Sequence, residues 1–348
     1  MRVTDLGTPN GTWHDAAATV VNDQGVVAGG WSADTYGYKG FVWQQGTFRA
    51  IDGTSEAING SGTVAGTLPW HYNSAAHRDG TALPYLGGRN GFPGPRSYGH
   101  DINSAGTVVG ESTVNDGVRG GGAVWFENSA VNVGTLGGMQ SSARAINDRD
   151  EVVGDSTLAN GDTHAFLWRR GRLTDLGTLG GHNSHAVDIN NNGQVVGTSV
   201  TATGDEHAFR WHHGHITDLG TIRSDTASSA LAINDAGQVL VSSNRGVNTP
   251  THGFLWNGGQ RRDLGGLGGR DTTPTALNNL GQVAGRAALP NGNTHAFRWS
   301  NGAILDLSTP DVTDSEALDL NNTGLVVGRS SIPDSHFHHA FIWRVNRP

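Results

Sequence analysis

Apolar residues in this chain fall in short runs with a period of two, separated by glycine-rich turns. Nowhere do they form an i, i+4 stripe. This is strand patterning and predicts an all-β protein. The clearest stretch runs from Ser142 to Gly181. There SARAIN alternates small and larger side chains, VVG carries a polar tail, HAFLW is aromatic and reads as buried, and LTDLG follows a glycine-centred turn. The first run ends in N-x-x-G, as from Asn190 to Gly193, where asparagine opens a tight turn and glycine takes the left-handed position. Each unit predicts four antiparallel strands.

The unit recurs along the whole chain. Its asparagine stands at Asn22, Asn59, Asn103, Asn147, Asn190, Asn234, Asn278 and Asn321, mostly 43 or 44 residues apart. Four strands in that length is the size of a propeller blade. Tryptophan closes the third strand in every copy but the second, where His77 stands instead. The last copy stops at HHAFIWRVNRP without its TDLG strand, and the chain opens with MRVTDLG. An array whose final unit is completed by its first residues is a ring. The expected fold is therefore an eight-bladed β-propeller closed by the N-terminal strand, one domain spanning residues 1–348. Its blades lie near 13–53, 54–88, 96–138, 139–181, 182–224, 225–269, 270–311, and 312–348 plus 1–7. An open solenoid would make the complementary ends a coincidence.

The A-x-A-I-N-x-x-G-x-V-V-G … H-A-F-x-W … D-L-G-x-L-G-G pattern resembles the bacterial HAF-repeat family of probable extracellular repeat proteins. HAF itself stands at His164–Phe166, His207–Phe209, His295–Phe297 and His339–Phe341. The resemblance covers essentially the whole chain and implies a repeat architecture. It implies no activity, because a fold does not fix a function.

Composition narrows the function classes. Charged residues make up 16% of 348, the formal net charge is −8, and there is no basic run, which disfavours nucleic-acid and anionic-membrane partners. Without cysteine there is no disulfide or thiol chemistry, and Lys39 is the single lysine. No charged start followed by an apolar run reads as a signal peptide. The expectation is a cytoplasmic chain as written, or a secreted one if a leader was removed. A monomer with no cofactor is expected.

In a ring of copies, repeated residues read as scaffold and exceptions as signal. The histidines at 164, 207, 252, 295 and 339 share one position and read as structural, for instance by satisfying backbone of a neighbouring blade. The GTLGG segments read as turns, since no helix follows them. The exceptions gather early. All five tyrosines precede residue 99, and Trp13, Trp31 and Trp70 lie off the repeat. In an up-and-down meander the second-to-third loops and the blade-to-blade connections share one rim. Trp13, His14, Trp31, Trp70, His71, Tyr72, Arg96, Tyr98 and His100 are thus predicted to crowd one rim over blades one to three. Polar residues at the channel mouth, Glu56, Arg144 and His185, fall beside them. Aromatic faces with a few convergent polar groups are what a ligand site needs.

His71, Tyr98, His100 and Arg96 are the candidate catalytic groups. Trp13, His14, Trp31, Glu56, Trp70, Tyr72, Arg144 and His185 are the candidate substrate contacts. His and Tyr can move protons while Arg holds an anion, which suits a cofactor-free lyase, isomerase or cyclase acting on a small polar or anionic substrate. The alternative is a non-catalytic propeller that binds a small molecule or carbohydrate, or docks a protein. Metal binding is not expected. Asp101, Asp188 and Asp319 read as hydrogen-bonded substitutions rather than calcium ligands, and His336 and His338 form only half a site.

Overall fold

The structure is a computed structural model. It describes residues 1–7, 15–33, 37–69, 74–86, 96–113, 120–127, 129–308, 312–332 and 337–345. These residues form eight four-stranded antiparallel sheets, each in simple meander order, and no helix. The molecule is an eight-bladed β-propeller. Blade four is representative, with strands Gly137–Ile146, Val152–Leu158, Thr163–Arg169 and Arg172–Asp175. The first strands pack against one another around the ring and line a central channel.

Closure follows the split strand. Arg2–Gly7 pairs with His338–Arg344, setting Val3 opposite Trp343 and Asp5 opposite Phe341. The last blade therefore takes its outer strand from the N-terminus. Between blades, the core repeats a small sandwich of valines and alanines from inner strands against a phenylalanine and tryptophan of the third strand. Phe166, Phe209, Phe254 and Phe297 are all fully buried. In blade two, the register corrects the expectation for His77: it stands opposite Gly66, where the other blades carry phenylalanine, Asp79 takes the tryptophan position, and His77 is fully buried. Its Nε2–H donates to the Thr54 carbonyl at 2.8 Å and its Nδ1 accepts from the Gly80 N–H at 3.0 Å. Burial pulls its pKa below the ordinary 6.5 despite the Thr54 bond, so it serves as a neutral spacer.

The repeated asparagines do more than open turns. Each buried side chain donates from Nδ2 to the backbone carbonyl of the next blade's asparagine. Asn147 donates to Asn190, Asn190 to Asn234, Asn234 to Asn278 and Asn278 to Asn321. Asn321 then donates to the Asn22 carbonyl at 2.8 Å, so eight side chains form a closed girdle at one end of the channel. The HAF histidines are also explained. His164, His207, His295 and His339 each set Nδ1 against the DLG aspartate of their own blade, Asp175, Asp218, Asp306 and Asp5. The partner expected from sequence, a neighbouring backbone, is thus replaced by a carboxylate on the adjacent strand. Among the described residues one of the four rings reaches a second acceptor, His295 through Val312 O.

Seven of the inner strands carry a β-bulge at the same place, as between Ala143 and Ala145. The bulge explains the glycine of V-V-G: a Cβ on Gly154 would strike the Ser142 carbonyl oxygen. Just past the bulge, Asp101, Asp188 and Asp319 each accept two backbone N–H groups, one from the following residue and one from the next blade. They are blade-to-blade bridges, as their reading as hydrogen-bonded substitutions requires.

Burial raises the Asp319 carboxyl to about 7 and the Asp101 carboxyl to about 6 against those two donors, and lifts the Asp188 carboxyl as well. The folded state then holds protons that the unfolded chain releases near pH 4, so stability falls as pH rises from about 4 through 7. We expect the melting temperature to drop across this range. Asp319→Asn should flatten the drop by about 1–3 kcal/mol equivalent, allowing for water in the channel. A thermal melt series with identical slopes for the two proteins would refute it.

Candidate functional site at the channel mouth

The bulge residue is the element that delivers side chains to the channel. An extra residue in the inner strand is displaced toward the axis, and in blades three and four that residue is His100 and Arg144. The bulge also resets side-chain alternation. Tyr98 pairs with Glu111 and Gly99 with Gly110, but Asp101 already pairs with Val109. The expectation that Tyr98 and His100 share a strand face therefore needs correction: His100 is the inserted residue, and two-residue spacing does not carry across it.

The described site is a crevice of about 430 Å³ between blades three, four and five. Its polar core is a chain of charges. His100 Nε2 lies 3.4 Å from Glu111 Oε1, which also accepts a 2.9 Å bond from Ser142 Oγ. Arg144 Nε donates to Asp155 Oδ1 at 2.8 Å, and His185 Nδ1 stands 3.7 Å from the same oxygen. Two histidine–carboxylate pairs thus flank one arginine. The His100 contact, with help from Ser142 and Arg144, outweighs burial and holds the Glu111 carboxyl below its ordinary range. For Asp155, burial pushes upward, but His185 and Arg144 prevail and keep it low. Both carboxylates are ionised at neutral pH.

Among the predicted site residues, the structure brings together His100, Arg144 and His185. Tyr98 is half-buried beside them, in register with Glu111. Arg96 is exposed at the start of the same strand, where its backbone N–H donates to Thr113 Oγ1. Glu56 is exposed in the short inner strand region of blade two. Trp31 does not serve the rim. It is 3% exposed, packed with Ala16, Val27 and Ile342, and tilted against Phe41 at 6.4 Å. A tryptophan whose strand partner is the inner-strand Ala16 fills core volume beside a small residue. Trp13, His14, Trp70, His71 and Tyr72 lie outside the described residues.

Sequence reasoning missed Glu111 and Asp155. The signal was present in the residue that follows the V-V-G glycine, which is acidic in these two blades and in no other. It also missed one broken histidine pair. In blade six, His252 leaves its DLG aspartate and sets Nδ1 2.8 Å from Asp225, whose side chain is fully buried and also holds Ser243. Asp263 is taken instead by Arg223. Among the described residues no group of three histidine or carboxylate side chains is arranged to hold a metal ion. No helix of the structure is long and apolar enough to cross a membrane.

No family model and no curated protein matches the chain, so the HAF resemblance carries no assignment. Solved structures do match its fold. The chain is similar to the Pyrococcus horikoshii acylaminoacyl peptidase, at 10% identity and a TM-score of 0.53 over 97% of this chain and 52% of that one. It is also similar to a puromycin-hydrolyzing peptidase of Mycobacterium tuberculosis, at 12% identity and a TM-score of 0.47 over 92% and 50%. A third is TolB from Acinetobacter baumannii, at 11% identity and a TM-score of 0.39 over 66% and 60%. The chain spans about half the length of either peptidase and under two thirds of TolB. At such identities the likeness extends to the propeller fold alone.

Proposed function

We propose that the crevice over blades three to five is the reactive site of a cofactor-free acid–base enzyme acting on a small polar substrate. The observation that carries this reading is the pair of histidine–carboxylate contacts, His100 with Glu111 and His185 with Asp155, of which Glu111, Asp155 and His185 line one concavity and His100 stands behind Glu111. An ionised carboxylate beside an imidazole orients the ring and stabilises the imidazolium that forms when the ring accepts a proton. Neither residue of either pair belongs to the repeated scaffold. The role expected of Arg144, to hold a substrate anion, fits less well: its Nε is committed to Asp155, which offsets its charge. Lyases, isomerases and cyclases that abstract a proton from carbon begin with such a transfer.

The test is solvent exchange. A panel of simple keto acids, hydroxy acids and sugars is incubated with the protein in heavy water, and deuterium uptake at carbon is read by mass spectrometry. His100→Ala and His185→Ala are each expected to slow exchange about 10²-fold, the usual size of a lost general base. Exchange unchanged in both variants would remove the assignment. Binding without exchange would favour the carbohydrate-binding alternative, which the hydroxyl-bearing wall of Ser141, Ser156, Thr157 and Thr163 supports.

A further inference from the structure

The channel mouth is electrically polarised. The residue after the V-V-G glycine occupies one register position in the seven blades with a bulge, opposite the residue two before the inner-strand bulge residue. It is acidic in blades three and four (Glu111, Asp155), basic in blades seven and eight (Arg286, Arg329), and uncharged in the other four. In a closed ring of eight, blades four apart stand on opposite sides of the axis. The acidic and basic pairs therefore face each other across the mouth.

Each pair opens into an equivalent crevice. Over blades seven and eight this is a concavity of about 260 Å³ lined by Arg286, Arg329, Glu316 and Thr294. Glu316 sits between the guanidiniums. Arg329 grips it through Nε and Nη2 at 3.2 and 2.9 Å, whereas Arg286 approaches only to 3.7 Å. Asp314 lines the same concavity with its Oδ1 held by the Thr294 N–H and hydroxyl, and the Arg286 side chain makes no hydrogen bond among the described residues, so its guanidinium is the group free to take an anion. On the far side the uncommitted groups are carboxylate oxygens. Glu111 and Asp155 oppose the single guanidinium of Arg144, and all their contacts among the described residues fall on Oε1 and Oδ1. The second oxygen of each carboxylate is left for a donor in the crevice.

We propose that the mouth binds an extended zwitterion, its ammonium end over Glu111 and Asp155 and its carboxylate end over Arg286 and Arg329. This rests on the reading of the mouth as a ligand site and adds the class of ligand. Bare like-charged pairs would each hold a simple ion. Opposite pairs across one opening favour a molecule that carries both charges far apart, and they orient it. A linear peptide with free termini has that chemistry. Each added residue lengthens it by roughly 3.3–3.6 Å, so a ladder of lengths measures the span.

Isothermal titration with an oligoalanine ladder tests the proposal. Peptides with both termini free are expected to bind, with affinity rising to a best length. N-acetylation and C-amidation should each weaken binding about 10-fold. The Glu111→Gln/Asp155→Asn variant should lose sensitivity to acetylation and keep sensitivity to amidation. Arg286→Gln should do the reverse, and because its guanidinium makes no hydrogen bond, folding is not at stake. Affinity indifferent to both caps, or cap effects unmoved by the matching variants, would overturn the proposal, as would no binding by any member. Cap-sensitive binding without histidine-dependent deuterium exchange would sink the acid–base reading alone.

Discussion

Asn190→Ala is expected to destabilise the protein by about 3–5 kcal/mol, more than any other single substitution considered for this fold. The side chain is 4% exposed and makes four bonds. Its Oδ1 accepts the N–H groups of Asn192 and Gln194, both at 3.0 Å. Its Nδ2 donates to the Asn234 carbonyl at 2.9 Å and to Gln194 Oε1 at 2.7 Å. Alanine keeps the backbone but strands two N–H donors and two acceptors. Each buried group left without a partner costs about 1–3 kcal/mol, and water reaching the channel end relieves part of the sum. Because the girdle is cyclic, the loss also loosens blade five from blade six. Urea unfolding should show a lower midpoint, while Asn191→Ala, at the exposed neighbour, should move it little. Equal midpoints for Asn190→Ala and the parent would show that the girdle is ornament.

Removing Met1–Gly7 should cost about 3–6 kcal/mol and lower the melting temperature by about 5 °C or more. The deleted strand supplies a ladder of backbone bonds at about 1 kcal/mol each. It also supplies Leu6, packed on the core between the last and first blades, and Asp5, 3.0 Å from His339. Its loss leaves His338–Arg344 as an unprotected edge, a template for pairing with other chains. Size-exclusion chromatography of the truncated chain should therefore show self-association. An unchanged melt with a monomeric profile would mean that the ring holds without its closing strand.

The residues that set the architecture were readable because each acts locally or by repetition. Strand alternation, N-x-x-G turns and V-V-G need only their neighbours to be recognised. The split TDLG strand predicted closure from the two ends alone, and Arg2–Gly7 pairs with His338–Arg344 accordingly. Treating copied histidines as scaffold was also legible, since a group present in five blades has no single site to serve. Among the candidate residues, His100 and Arg144 stood out because most blades carry a small or apolar residue at that position, and His185 joined them from one position further out.

What tertiary structure alone decided is which exceptions meet. Trp31 breaks the repeat as visibly as His100, yet it points into the core, because its strand partner Ala16 leaves a volume that the blade interface must fill. A period-two pattern says which residues alternate, not which face is covered by the next blade. The bulge shifted His100 off the face it shares with Tyr98 by strict alternation, and no residue type announces a bulge when the inserted position tolerates Thr, His, Arg, Val and Leu. Glu111 meets His100 because the bulge turns the inserted histidine toward the paired strand of its own blade, and Asp155 meets His185 only through the approach of successive blades. The chain's own pattern determined a closed ring of eight blades. The placement of charge at its mouth, acidic on one side and basic on the other, came from the geometry that sets blades four apart face to face.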